Sequence, residues 1–229
     1  MIALLLSIAA ADDASDLLAR VDAAAAPSTD AHLVLDITST DARGRTSERT
    51  LELWQKGDDK RLATFTAPAR VAGVSLLVPD GETVYLFLPS YGRPRRVVGK
   101  ARGDAFFGTN FAMEDLSRIS WADEFTATQS EPNHLTLTPT ANDSNSARVE
   151  LFIRPEDHLP ARVEHYDEDG ALMRRIVFDD VRPVGDRPLA HSVVVEDVAR
   201  SRTTRASVTQ AGFDVGVEDD QFSLSNLTP

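Results

Sequence analysis

The chain has 229 residues, enough for one sizeable domain. Its 24 basic and 36 acidic residues give a formal net charge of −12, which argues against nucleic-acid binding because phosphate recognition needs a basic surface. The absence of cysteine excludes disulfides, thiolate metal sites and cysteine nucleophiles. A hydrophobic share of 42% is sufficient for a buried core.

The N-terminus combines a short apolar run with small residues. Residues 2–10 are too few to span a bilayer, which takes about 20 apolar residues, and charge begins abruptly at Asp12. This pattern predicts a signal peptide at 1–11, export to the periplasm, a mature domain at 12–229 and no stable membrane insertion. A buried N-terminal strand or helix is the alternative.

One helix and then many strands are predicted along the chain. Leu17, Leu18 and Val21 lie at helical spacing within residues 12–26, where Asp12 suits the helix N-terminus, and Pro27 ends the helix. From residue 32 onward, apolar and polar residues alternate as in strands. Strands are predicted at 32–38, 51–54, 74–78, 83–88, 125–129, 135–138, 148–154, 161–168, 172–180, 190–198 and 203–211.

Turn signals separate these strands and define the fold class. Asp80-Gly81 and Asp169-Gly170 are typical of tight hairpins. The irregular stretch 99–121 predicts one or two short helices, best at 113–118. The succession of strands predicts a mainly β fold: an open, half-closed antiparallel β-barrel with an N-terminal helix and a short helical lid. A half-open barrel leaves an apolar cavity for a ligand.

Residues 85–116 form the most informative run, YLFLPSYGRPRRVVGKARGDAFFGTNFAMEDL. This run resembles the "LYLP…RVRR…GD-F-G-F-EDL" segment of the LolA-like family of outer-membrane lipoprotein-sorting proteins. Residues 54–60 are similar to the family's "W-KGD" hairpin, 159–170 to its "P-KVE-YD-DGK" hairpin, and 219–222 to its "DD-F" close. The matches follow the family's order over nearly all of the mature chain, whereas the region 130–146 is shorter than in many members.

The resemblance implies a non-enzymatic periplasmic carrier without a cofactor. Such a carrier would bind lipoprotein acyl chains, or a lipid such as phospholipid, and ferry them toward the outer membrane. The implied partners are an inner-membrane transporter complex and an outer-membrane acceptor. The alternative is a periplasmic adaptor or binding module that docks to an envelope transporter without carrying lipid, and it predicts a filled barrel interior. A hydrolase of envelope polymers would need convergent carboxylates or a histidine-based site.

Alternating strand positions and the aromatic lid supply the candidate ligand-binding residues. The aromatic residues between 106 and 113 could form a mobile apolar lid over the cavity, with Gly103 and Gly108 as hinges. Alternatively, they could simply pack a loop onto the core. The candidates are Leu33, Leu35, Ile37, Leu51, Leu53, Phe65, Leu76, Val84 and Leu86 on strands, and Phe106, Phe107, Phe111 and Met113 in the lid.

A cluster of cations precedes the lid and predicts capture of an anionic headgroup or an acidic partner. The alternative is a solvated strand edge, where charges discourage edge-to-edge pairing. The cluster contains Arg93, Arg95, Arg96, Lys100 and Arg102. Because neighbours on an extended segment face opposite sides, at most one of Arg95 and Arg96 points into a cavity.

Catalytic and metal-binding signals are weak. The five histidines show no HExxH spacing, and no GxSxG motif is present. The carboxylate pairs Asp58-Asp59, Asp179-Asp180 and Asp219-Asp220 are neighbours in sequence, which favours turn or surface roles. No metal site is predicted.

Overall fold

The computed structural model describes residues 2–27, 29–142 and 144–227, without the side chains of residues 2–13 and 130. The helices and strands are, in chain order, α1 (Ile2–Ala25), β1 (Asp30–Thr40), β2 (Thr46–Lys56), β3 (Lys60–Ala67), β4 (Ser75–Val78), β5 (Val84–Leu88), β6 (Arg93–Val97), α2 (Met113–Ser117), β7 (Phe125–Glu131), β8 (His134–Pro139), β9 (Arg148–Ile153), β10 (Pro160–Tyr166), β11 (Leu172–Val184), β12 (Arg187–Asp197) and β13 (Arg202–Phe213).

The strands form one antiparallel sheet in the order β6-β5-β4-β3-β2-β1-β13-β12-β11-β10-β9-β8-β7. Strands β6 and β7 stand at opposite ends of this order and do not pair with each other, so the barrel is open. The predicted fold class is confirmed, including the N-terminal helix and the short helix at Met113–Ser117.

Helix α1 begins at Ile2 rather than at Asp12. The prediction that Asp12 stabilises the helix N-terminus is therefore wrong, because this residue lies inside the helix. Of the predicted signal peptide, Met1 lies outside the described residues and 2–11 belong to α1, so export stays a prediction. Within the described chain, no helix combines the length and apolar character needed to cross a membrane.

Both faces of the sheet carry a hydrophobic core. The inner face, defined as the one that packs against α1, holds the larger core, to which Leu17, Leu18 and Val21 contribute. On the outer face, alternate strand residues pack against the C-terminal segment. This smaller cluster contains Leu62, Leu77, Phe87, Val217, Phe222 and Leu227.

The buried carboxylate of Asp30 fixes the start of the C-terminal segment. It accepts hydrogen bonds from the backbone N–H groups of Val215 at 2.8 Å, Gly216 at 3.2 Å and Val217 at 3.0 Å. Val217 is buried, so its N–H would lack an acceptor without this carboxylate, and a buried unsatisfied donor is costly. One side chain at the start of β1 therefore positions the segment that covers the outer face.

We expect Asp30→Ala to lower the free energy of unfolding by about 1–3 kcal/mol, the usual cost of unsatisfied buried polar groups. Urea unfolding followed by tryptophan fluorescence measures this loss. Asp220→Ala is the control, because Asp220 is an exposed carboxylate in the same C-terminal segment. Equal stability of the two variants would contradict the role assigned to Asp30.

Candidate ligand-binding site

An apolar cavity of about 280 Å³ lies between the inner face and the segment that joins β6 to β7. We call residues 99–121 of this connection the cover segment. The cavity floor is formed by β1, β2, β11, β12 and β13, and its roof includes Phe111 and Leu116 of the cover segment. The volume is near the lower end of the range of about 300–1,000 Å³ that is usual for ligand sites.

Six of the predicted ligand-binding residues line this cavity. Across the ladder of β1 and β2, Leu33 faces Leu53 and Leu35 faces Leu51, so alternate positions meet on one face as the period-two pattern predicts. The six are Leu33, Leu35, Ile37, Leu51, Leu53 and Phe111. Their contact with a ligand stays a prediction.

The other predicted residues lie in the core beside the cavity rather than around it. Phe65 and Phe106 are fully buried and stack with ring centroids 4.8 Å apart, so the cover segment packs directly onto β3. This packing fills the part of the inner face nearest β6. The residues placed there are Phe65, Leu76, Val84, Leu86, Phe106, Phe107 and Met113.

The second wall of the cavity consists of residues outside the predicted site. Strands β11 to β13 contribute Ile176, Phe178, Val193, Ala206 and Val208. Their spacing at alternate strand positions was a usable signal, but nothing local showed that β13 lies beside β1. The end of α1 closes one side of the cavity with Ala24 and Ala25.

Buried ion pairs fasten the cover segment from both sides. Arg174 on β11 reaches Asp115 at 2.9 Å and Glu114 at 3.2 Å, and Arg118 reaches Glu124 at 2.8 Å. Burial acts to lower the pKa of Arg118, but Glu124, Asp115 and Glu114 outweigh it and the pKa lies above its ordinary value. Helix α2 is therefore held in place by electrostatics at the edge of the apolar cavity.

The far end of the cover segment is attached to α1 through Asp22. Its carboxylate accepts hydrogen bonds from the Ser120 hydroxyl at 2.9 Å and from the backbone N–H groups of Trp121 at 2.8 Å and Ala122 at 3.0 Å. Cover segment and N-terminal helix are therefore mechanically linked.

Two glycines of the cover segment lie in tight surroundings. Gly108 has a φ of +78°, and a Cβ there would lie 2.6 Å from Nη2 of Arg49. A Cβ at Gly103 would lie 2.2 Å from Nδ2 of Asn145. Gly108 requires glycine because of its positive φ, since the Arg49 side chain can move aside, and Gly103 requires it because of the close approach of Asn145. Their hinge role stays a prediction.

Three of the predicted cations lie on β6, an edge strand of the sheet. Arg93, Arg95 and Arg96 are all exposed, and the guanidinium of Arg95 lies 4.2 Å from the ring centroid of Tyr91. None of the three lines the apolar cavity. Their placement fits a charged edge that resists pairing with another strand and that is open to a partner.

The remaining two cations of the cluster belong to the cover segment. Lys100 is exposed. Arg102 forms an ion pair with Glu124 at 2.7 Å and so belongs to the network that fastens the segment. Four of the five cations are therefore exposed, and the fifth, Arg102, forms an ion pair within the protein.

A buried serine and histidine lie close together near the end of β10. Arg174 donates to Nε2 of His165 at 3.2 Å, so Nδ1 carries the proton and donates to the hydroxyl of Ser146 at 2.8 Å. Burial and the charges of Arg174 and Arg118 hold the pKa of His165 well below its usual 6.5. In this tautomer His165 cannot take a proton from Ser146.

The fold matches solved structures over nearly the whole chain. A domain described as an outer membrane lipoprotein-sorting protein, from Vibrio parahaemolyticus, is 22% identical with a TM-score of 0.84, covering 95% of this chain and 99% of that chain. A DUF1329 family protein from Desulfovibrio piger is 22% identical with a TM-score of 0.86, covering 96% and 99%. A LolA superfamily protein from Nitrosomonas europaea is 16% identical with a TM-score of 0.75, covering 92% and 97%.

These structures and the open barrel with its covered cavity define a LolA-like fold, which confirms the resemblance read from the sequence. A family model described as "-like: Uncharacterized protein" matches residues 57–229, and the chain belongs to that family. No curated protein matched the chain.

The buried neutral His165 makes stability depend on pH. The unfolded chain binds a proton at this residue near pH 6.5, whereas the folded state does so only at much lower pH. Below pH 6.5 the unfolded state therefore holds more protons, and the free energy of unfolding falls by up to about 1.4 kcal/mol per pH unit.

We expect His165→Gln to reduce this loss between about pH 7 and pH 5.5, as measured by urea unfolding at each pH. His191→Gln, a half-buried histidine on β12, is the control and should keep the wild-type slope. A wild-type slope in the His165 variant would show that other groups cause the pH dependence.

Proposed function

We propose that the protein is a non-enzymatic carrier that binds one acyl chain of a lipoprotein or lipid in the apolar cavity. This proposal is based on the apolar cavity of about 280 Å³. The sheet forms its floor, and the cover segment forms its roof. Each methylene removed from water contributes roughly 0.8 kcal/mol, so an acyl chain needs such shielding to cross an aqueous space.

The LolA-like fold supports transport between the two membranes of the envelope. On this proposal the protein works in the periplasm, receives its cargo from an inner-membrane transporter complex and passes it to an outer-membrane acceptor. The similar domain from Vibrio parahaemolyticus is described as an outer membrane lipoprotein-sorting protein. The exposed arginines of β6 offer such partners a cationic contact surface.

The construction of the roof suits uptake and release. Phe111 and Leu116 contribute apolar surface to the cavity, while Asp22 and Arg174 hold the cover segment through polar contacts. Polar contacts are exchanged for water when a segment opens, so they set its position at small net cost. Lifting only residues 111–116 of the cover segment would expose the cavity without disrupting a strand, while Phe106 stays packed on Phe65.

The alternatives are supported less well. An adaptor that carries no lipid predicts a filled interior, and the cavity favours a carrier. A hydrolase would need an activated nucleophile, and the tautomer of His165 leaves Ser146 without a base.

Blocking the cavity tests the carrier directly. We expect Leu33→Trp to weaken binding of a fluorescent fatty acid by roughly tenfold or more, because losing burial of two methylenes already has that effect. Leu33 lines the cavity and is only half-buried, so a larger ring has room to enter it. Titration of the probe against the purified full chain gives the affinity.

Val34→Trp is the matched control, since Val34 pairs with Glu52 on the outer face. It should bind the probe like wild type. Absence of saturable binding to the wild-type chain, or equal binding by Leu33→Trp, would rule out the apolar cavity as the acyl-chain site.

The edge-strand cations are expected to act in loading. Replacing Arg95 and Arg96 with Ser should slow cargo transfer from donor liposomes with anionic lipid and reduce its salt dependence, because exposed charges act over a Debye length of about 8 Å at physiological salt. Transfer rates at two ionic strengths measure both effects. Arg43→Ser with Arg205→Ser removes two other exposed cations and should leave the rates unchanged. Equal slowing in both double variants would mean that net charge alone matters.

A further inference from the structure

A second pocket, polar in character, lies on the inner face where β10 to β13 meet the cover segment. Its volume is about 450 Å³. Its walls come from the cover segment, from the turn before β9 and from the turn between β12 and β13. None of the predicted site residues lines it.

A row of polar side chains runs across four adjacent strands at the base of this pocket. His165 pairs with Arg174, Arg174 with Asp197, and Asp197 with Arg202. Residues paired in this way project from the same face of a sheet. The neighbouring row on that face is Val163, Ile176 and Val195, so the polar row borders directly on the apolar core.

Arg200 and Arg202 have more donors than the carboxylate of Asp197, which they share, can accept. Arg200 reaches Asp197 at 3.3 Å and Arg202 reaches it at 2.7 Å. Each guanidinium carries five N–H donors, and Asp197 accepts one from each of these side chains. Arg174 is balanced by Glu114 and Asp115, and Asp104 also lines the pocket. The unbalanced positive charge therefore lies with Arg200 and Arg202, where an anionic acceptor would bind.

Helix α2 and the residue before it separate the polar pocket from the apolar cavity. Ala112 and Glu114 line the polar pocket, whereas Phe111 and Asp115 line the apolar cavity. The same five-residue helix therefore presents one side to charge and the other to hydrocarbon. Arg174 contacts both Glu114 and Asp115 and so connects the two compartments.

We propose that the polar pocket binds the phosphate of a lipid headgroup while the acyl chain of the same lipid occupies the apolar cavity. Guanidinium groups bind phosphate oxygens through paired hydrogen bonds, and Arg200 is exposed enough to turn toward a ligand. The acyl-chain half rests on the proposed function, whereas the phosphate contact stands on the pocket alone. This proposal restricts the cargo to amphiphilic molecules that carry a phosphate group.

The phosphate contact is tested with water-soluble probes that have no acyl chain. We expect calorimetric titration of the full chain with sn-glycero-3-phosphoethanolamine to show binding that is roughly tenfold weaker in Arg200→Gln with Arg202→Gln, given the strength of charge-assisted hydrogen bonds. Arg205→Gln, on the same strand but exposed on the outer face, is the matched control and should bind like wild type. Inorganic phosphate binding as tightly as the headgroup probe would assign a free-phosphate site and overturn the lipid assignment.

The single variant Arg200→Gln distinguishes loss of the phosphate contact from loss of the fold. The Arg200 side chain is 70% exposed, so its replacement should not unfold the protein. This single variant should keep the wild-type unfolding midpoint and still bind the headgroup probe more weakly. Wild-type affinity in both Arg200 variants, or equal weakening in Arg205→Gln, would overturn the proposal.

A competition assay tests whether one lipid occupies both the polar pocket and the apolar cavity. A lysophospholipid should displace a fluorescent fatty acid at lower concentration than a monoacylglycerol of the same chain length, and the double variant should remove this advantage. Equal potency of the two lipids in the wild type would overturn the headgroup assignment and leave acyl-chain binding intact. If neither lipid displaces the probe, the proposed carrier function fails, and the calorimetric result still decides the phosphate contact.

Discussion

The pairing of β1 with β13 is the constraint on which the cavity depends. It joins the first strand of the chain to the last, with Leu35 opposite Val208 and Ile37 opposite Ala206. Without this seam the two halves of the sheet would be separate meanders, each with an exposed apolar face. With it, residues from both halves form one continuous inner wall, which the cover segment then closes.

The cover segment covers only part of that inner wall, and its charged residues determine which part. Phe106 packs onto Phe65 and fills the side near β6. Arg174 then holds Asp115 close to the sheet, so α2 stands beside the central strands as a partition. Removing one partner of a buried ion pair leaves an uncompensated charge, which explains why such a pair fixes position so strongly. The space on either side of the partition becomes an apolar cavity and a polar pocket.

The elements whose signals are local could be predicted from the sequence. In the Asp80-Gly81 turn, the Asp80 carboxylate accepts a hydrogen bond from the N–H of Thr83 at 2.7 Å. The alternation of Leu33, Leu35 and Ile37 likewise places these three residues on one face of β1. The depth of Phe106 could not be predicted, since burial of an aromatic residue in a glycine-rich loop depends on a distant strand. Arg174 and Asp197 read as ordinary charges in sequence, because only the register across β11 to β13 brings them into one row.

On the proposed function the cover segment opens and closes, and apolar and polar contacts contribute differently to that movement. If the cover segment lifts, Arg174 and Asp115 regain water, and the net loss per charge-assisted hydrogen bond is about 1.5–3 kcal/mol. Contact of Phe111 and Leu116 with an acyl chain has no such replacement in water, since each exposed methylene costs about 0.8 kcal/mol. In such a carrier, retention of cargo would scale with chain length, while the polar contacts of Asp22 and Arg174 would determine the closed position to which the segment returns. Such a division would allow strong holding and ready release by one short segment.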